Sequence, residues 1–207
     1  MKLLLLALTL LMLAAAPVKA QYSEQQLLEA YQREDMSVWK AYIDASDWQT
    51  LTQDEQLRLL RYEYGFAAAM LKIDKPHAEA YIQRLGEHTA LAQPILSEAL
   101  YNVYMSAYHT FSMRLTMNVF AHSKAIYTHA QAALDADPTE PMTWVAQGNI
   151  HFYAPKLMGG NKRKALEEYN RADSLFMLRP DVYNTRWELY AERMNRQQCK
   201  EMLNNPK

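Results

Sequence analysis

Residues 137–176 carry two apolar stripes at helical spacing, separated by a segment that a single helix cannot cross. The first stripe holds Trp144, Gly148, His151 and Phe152, with Val145 beside it. The second holds Ala165, Tyr169, Ala172 and Phe176, flanked by Leu166. Pro138 and Pro141 precede the first stripe, where a fixed φ and a missing N–H suit a linker or a first helical turn. Pro155 disfavours α geometry at Ala154 and should end that helix. Gly159 and Gly160 accept positive φ at little cost, and Asn161 is a good N-cap for the second helix. Lys162, Arg163, Lys164, Glu167, Glu168 and Arg171 fall mostly off the second stripe. The segment therefore predicts an antiparallel helix pair that cannot bury its apolar side alone.

The rest of the chain repeats this habit more loosely. Only 5 Gly and 8 Pro occur among 207 residues, and no convincing strand alternation interrupts the helical patterns. Ser23 is placed to cap a first helix carrying Leu27, Leu28 and Tyr31, and a second follows with Met36, Trp39, Tyr42 and Ile43. Residues 47–52 read as a polar loop. Thr52 and Glu55 make a capping box for a longer helix with Leu57, Leu60, Tyr64 and Ala68 on its stripe. Gly65 sits inside that helix, where it costs about 1 kcal/mol against alanine unless something packs close. Asp74-Lys75-Pro76 reads as a turn before a helix with Ala78, Tyr81, Ile82 and Leu85. Pro94 should open a helix running to about Phe111, and residues 113–136 a second one, broken near its start. Pro180 should start a helix through Trp187 and Tyr190, and a last short helix carries Met194, Cys199 and Met202. The expectation is all-α, about ten helices in antiparallel pairs recurring every 35 to 45 residues, which is the sequence mark of an α-solenoid.

The first 20 residues read as a secretory leader. Lys2 is followed by an apolar run from Leu3 to Ala16, a break at Pro17, and small residues Val18 and Ala20 at the −3 and −1 positions of a cleavage site. That run is short for a membrane span, and nothing later is long and apolar enough, so residues 21–207 are expected as one exported helical domain, periplasmic or extracellular. Loss of Lys2 and Lys19 with the leader leaves 20 basic residues against 23 acidic ones. This balance does not suggest nucleic acid or an anionic membrane as partner. A lone cysteine, Cys199, excludes an internal disulfide.

Trp144 and Gly148 in one helix, Ala165, Tyr169 and Ala172 in the next, and a proline soon after resemble the tetratricopeptide repeat (TPR). Residues 133–138, Ala-Leu-Asp-Ala-Asp-Pro, look like the end of a preceding second helix of that repeat, and Gly65 with Ala78 and Tyr81 is similar but weaker. His151 stands where the repeat usually has Tyr, Gln147 where it usually has Leu, and the loop at 154–160 is longer than the tight TPR turn. A Pro-x-x-x-Gly-Gly loop of this kind looks like that of degenerate TPR proteins exported by bacteria, including periplasmic subunits of some transporters. The resemblance implies a TPR-like solenoid in which small residues let helices approach and large ones fill the space between pairs. It is nearly silent on function.

No residue group has the spacing of a catalytic site. HExxH, Gly-x-Ser-x-Gly, P-loop and Rossmann patterns are all missing, and Cys199 has no histidine near it in sequence. An enzyme is not expected, and neither a cofactor nor a metal. His122 and His129 share a helix face but have no carboxylate or cysteine at ligand spacing. The Gly159-Gly160-Asn161 corner leads into Lys162, Arg163 and Lys164, which offers either an anion site or a turn with a solvated basic face. Tyr101, Tyr104 and Tyr108, with Met105 among them, form a stripe that is either core or a binding groove. Two functions fit. In the first, the chain is an exported scaffold that holds a protein or peptide partner on a concave helical face. In the alternative, it is a small-molecule-binding, transporter-associated subunit using the aromatic groove.

Overall fold

The computed structural model describes residues 22–204. The expected leader cleavage lies outside them. Among the described residues are ten α-helices, two 3-10 turns and no strand, and no helix is long and apolar enough to cross a membrane. The helices are α1 (Glu24–Gln32), α2 (Met36–Asp44), α3 (Gln53–Ile73), α4 (Lys75–Leu91), α5 (Glu98–Thr116), α6 (Val119–Ala136), α7 (Pro141–Tyr153), α8 (Lys162–Met177), α9 (Pro180–Tyr183) and α10 (Trp187–Asn204). Neighbours in sequence pack on one another from α3 to α8, α5 also touches α3 and α7, and α10 lies against α8.

Local chemistry sets the helix ends. Ser23 and Thr52 close full capping boxes with Gln26 and Glu55. Ser97, not Pro94, starts α5, because its hydroxyl accepts the Leu100 N–H while Pro94 stays in the preceding turn. That helix also outruns the expected stop near Phe111 and reaches Thr116. It ends where Met117 takes a left-handed conformation at φ 58° and Asn118 caps α6. The C-terminal region was expected as a helix from Pro180 and a short last one. Instead Pro180 drives a single turn, and one continuous helix then carries Trp187 through Cys199.

Helix α3 is the hub, buried on nearly every side. A Cβ on Gly65 would come within 2.6 Å of Trp39 and 2.9 Å of Trp187, so the glycine is what lets two indoles meet there. Trp39 and Trp187 pack edge to face at 5.5 Å, and Trp187 also meets Tyr31 and Tyr64. Helix α10 thus reaches back to α1, α2 and α3, a closure that a linear repeat array lacks. Nearby, the buried Glu63 carboxylate accepts from Arg84 at 2.6 Å and meets His88 at 2.9 Å, while Arg84 also donates to the Ile43 and Ser46 carbonyls. The supposed loop at 47–52 contains a 3-10 turn, Trp48–Thr50, whose indole stacks on His88 at 4.3 Å.

Helix α10 buries two carboxylates. Glu188 lies 3.8 Å from Arg61. Glu192 is 0% exposed and accepts no hydrogen bond, and Arg196 lies 3.5 Å from it. Burial pushes both acids up, Glu192 to about 7.

The α7–α8 pair follows its sequence closely. Gly148 lies under the Tyr169 ring, which would be 2.6 Å from an added Cβ, and Ala165, Tyr169 and Ala172 are fully buried. Trp144 is half-buried and donates to the Pro138 carbonyl at 2.8 Å. Gly159 has φ 90°, and a Cβ on Gly160 would collide with the Ala154 carbonyl, so both glycines are required by the loop.

Candidate ligand-binding face

Helix α5 sends its residues in two directions. Tyr104 is 5% exposed and packs edge to face on Tyr64, which stacks on Phe111. Its hydroxyl is held protonated by burial. The groove role expected for Tyr104 is therefore not available to it: this ring is core. Tyr101, Met105 and Tyr108 remain half-buried on another side of the helix. Tyr108 rests on Gly86 of α4, where a Cβ would stand 2.7 Å from the ring, and His109 beside it faces α6. The half-buried strip of α5 thus lies between α4 and α6.

Three histidines complete that strip. His109 and His122 bring their Nδ1 atoms to 3.1 Å, so one donates and the other accepts. The His109 and His129 rings are nearly parallel, 14° apart, at 5.8 Å. Tyr101 lies edge-on to His129 at 6.5 Å, and Tyr108 lies 5.0 Å from His109. The result is a run of five rings from two helices. Burial holds the His109 and His129 pKa values below the usual range, and His109 is lowered further by His122 and His129. Among the described residues, no group of three His, Cys, Asp or Glu is arranged to hold a bare metal ion.

The sequence placed His122 and His129 on one face but did not bring His109 to them, because that contact is between helices. A signal was nevertheless present. No Asp or Glu occurs between Glu98 and Asp135 or between Glu140 and Glu167, while those stretches carry Arg114, Lys124, Lys156, Lys162, Arg163 and Lys164. In a chain of net charge −1, these two stretches, which run from α5 into the first turn of α8, are thus locally cationic.

The Gly159-Gly160 corner offers less than its sequence suggests. Asn161 Oδ1 already accepts the Arg163 and Lys164 N–H groups, and Lys162 turns back to the Phe152 carbonyl, with its ammonium 4.1 Å from the Phe152 ring centroid. Those first-turn donors serve the cap rather than an anion. Close by, Tyr127 donates to the Met158 carbonyl at 2.8 Å, and Phe120 and Leu157 stand 97% and 98% exposed. A turn of 100° per residue sets Phe120 and Tyr127 on the opposite side of α6 from His122 and His129. Two surface clefts of about 480 and 420 Å³ also lie away from the histidines. One is between the Trp48 turn and α4, where Glu63 already holds Arg84 and His88, and the other is beside Lys75 and Leu115.

No family model and no curated protein matches the chain. Among solved structures, the fold is similar to the HusA haemophore from Porphyromonas gingivalis, with a TM-score of 0.59 and 16% identity over 82% of this chain and 92% of that one. At that identity the likeness concerns the fold, and it makes the chain an all-helical protein similar in architecture to a haemophore.

Proposed function

We propose that the chain is an exported, non-enzymatic carrier of a planar aromatic ligand of the haem class, built on TPR-like helix pairs and binding on the α4–α5–α6 face. The observation that carries this reading is the five-ring run of Tyr101, His129, His109, His122 and Tyr108. Flat rings at a half-buried face suit stacking against a flat ligand. Residues 99–134, which supply all five rings, hold no Asp or Glu and carry Arg114 and Lys124, which favours a ligand with carboxylates. A porphyrin supplies four ligands to its own metal, so a face that cannot cage a bare ion still fits a haem, whose iron asks the protein for one or two ligands. The fold shared with a haemophore agrees with this class of cargo, and the leader-like residues 1–20 agree with export.

A small ligand ranks ahead of a protein partner because Tyr104, the ring that best marked a peptide groove, is covered by the protein's own Tyr64. The test is titration of residues 21–207 with ferric protoporphyrin, followed in the Soret band. Saturable one-site binding that Tyr108→Ala with His109→Ala weakens at least tenfold is the expected result. Absence of saturable binding would overturn the reading.

A further inference from the structure

Three histidines face the proposed site, and hydrogen bonding distinguishes them. Asn102 is buried beside His129 and donates its Nδ2 to the Glu98 carbonyl one turn back at 2.9 Å. That bond settles the amide orientation and leaves Oδ1, a pure acceptor, 2.8 Å from His129 Nδ1. Nδ1 must therefore carry the proton. A neutral imidazole protonated on Nδ1 has its lone pair on Nε2, and an oriented, singly protonated ring of this kind is what metal-ligating histidines show when their second nitrogen is anchored. His109 and His122 lack this definition. Their Nδ1 atoms face each other, and the shared proton can sit on either ring.

We infer that His129, through Nε2, is the residue that ligates the metal of the bound tetrapyrrole, and that Asn102 is its positioning residue. The inference rests on the haem-class reading above and adds the atom that makes the site selective for a metallated ring. Tyr101, edge-on to His129, and His109, parallel to it, flank the ligating ring on two sides. The fixed tautomer means that no proton need move for Nε2 to bind. Loss of the Asn102 anchor frees the ring to rotate and to exchange tautomers, which for comparable outer-shell anchors weakens metal binding about 10- to 100-fold.

The experiment compares ferric protoporphyrin with metal-free protoporphyrin on the wild-type chain and on His129→Ala, Asn102→Ala and His122→Ala, with helix content checked by circular dichroism. His129→Ala is expected to lose at least tenfold in affinity for the ferric ligand and to change its Soret and electron paramagnetic resonance signatures. Its loss for the metal-free ring, which meets His129 by stacking alone, should be at least fivefold smaller than its loss for the ferric ligand, and added imidazole should restore the wild-type ferric spectrum. Asn102→Ala should weaken the ferric ligand alone, and His122→Ala, which removes one ring of the run but no ligating atom, should weaken the ferric and metal-free rings alike. A wild-type ferric spectrum in His129→Ala overturns the inference while leaving the carrier reading intact. Equal loss of both ligands in that variant also overturns it, since His129 then acts by packing. Failure of the wild-type chain to bind either ring defeats the carrier reading itself.

Discussion

Tyr64 and Tyr108 both stand on long central helices and both lie in a cluster of rings, yet the two clusters are built differently. Around Tyr64, on α3, the rings of Trp39, Trp187, Tyr104 and Phe111 close over one another, and a glycine rather than a side chain sits at the point of closest approach. Nearby charges are paired inside, as Glu63 is with Arg84 and His88. Around Tyr108, on α5, tilted and stacked rings meet at a half-buried face, the polar members are histidines, and no Asp or Glu occurs between Glu98 and Asp135. The same residue types hold the protein together in one place and are left available in the other. The difference lies in what covers them.

The strongest way to break this contrast is Gly65→Leu. Its branched side chain would have to displace two indoles, and a loss of about 3 kcal/mol or more in urea unfolding is expected, at the upper end of overpacking costs. An unchanged midpoint would mean that Trp39 and Trp187 are not locked over the glycine.

Acid sharpens the contrast, because it acts on the two regions with opposite sign. The folded pKa of Glu192 is raised from 4.5 to about 7, so its share of stability is fully present below about 4.5 and is lost as pH rises to about 7. His109 and His129 have lowered values, so their share is present above about 6.5 and is lost as pH falls below it. Moving from pH 7.5 to 5.5 should therefore raise hydrogen-exchange protection in α10 and lower it in α5 and α6. A uniform change would remove the distinction. In the same vein, Glu192→Gln should gain about 1–2 kcal/mol at pH 8, since it removes a buried charge that accepts no hydrogen bond, and the gain should vanish near pH 4.5.

The smallest stability effect is expected for Phe120→Ser. Phe120 is 97% exposed and on the far side of α6 from the histidines, so both the melting temperature and porphyrin affinity should stay near wild type, within about 0.5 kcal/mol in stability. A marked loss of affinity would move the ligand to the Phe120–Leu157 side.

What could be read from the sequence was whatever depends on neighbours along the chain. The Thr52–Glu55 box, the Pro141 start, the Pro155 stop and the Asn161 cap all act within a few residues and all appear as expected. Gly65 and Gly148 were legible as close approaches, although not the rings that approach them. Contacts between helices were the blind spot. His109 meets His122 and His129 across α5 and α6, and Tyr104 parts from Tyr101 and Tyr108 only because α3 covers one side of α5. Helix spacing says which residues share a stripe; it does not say which stripe meets solvent.

Trp187 has a consequence for how the chain reaches this state. The roof over Gly65 arrives 122 positions later in sequence, so α1, α2 and α3 cannot complete their packing until α10 has been made and delivered. A stack of repeats can nucleate anywhere and propagate. Here the ring is shut by its last long helix, a contact of high sequence separation that slows folding. A nascent chain stays unfinished at its N-terminal end until almost all of it is present.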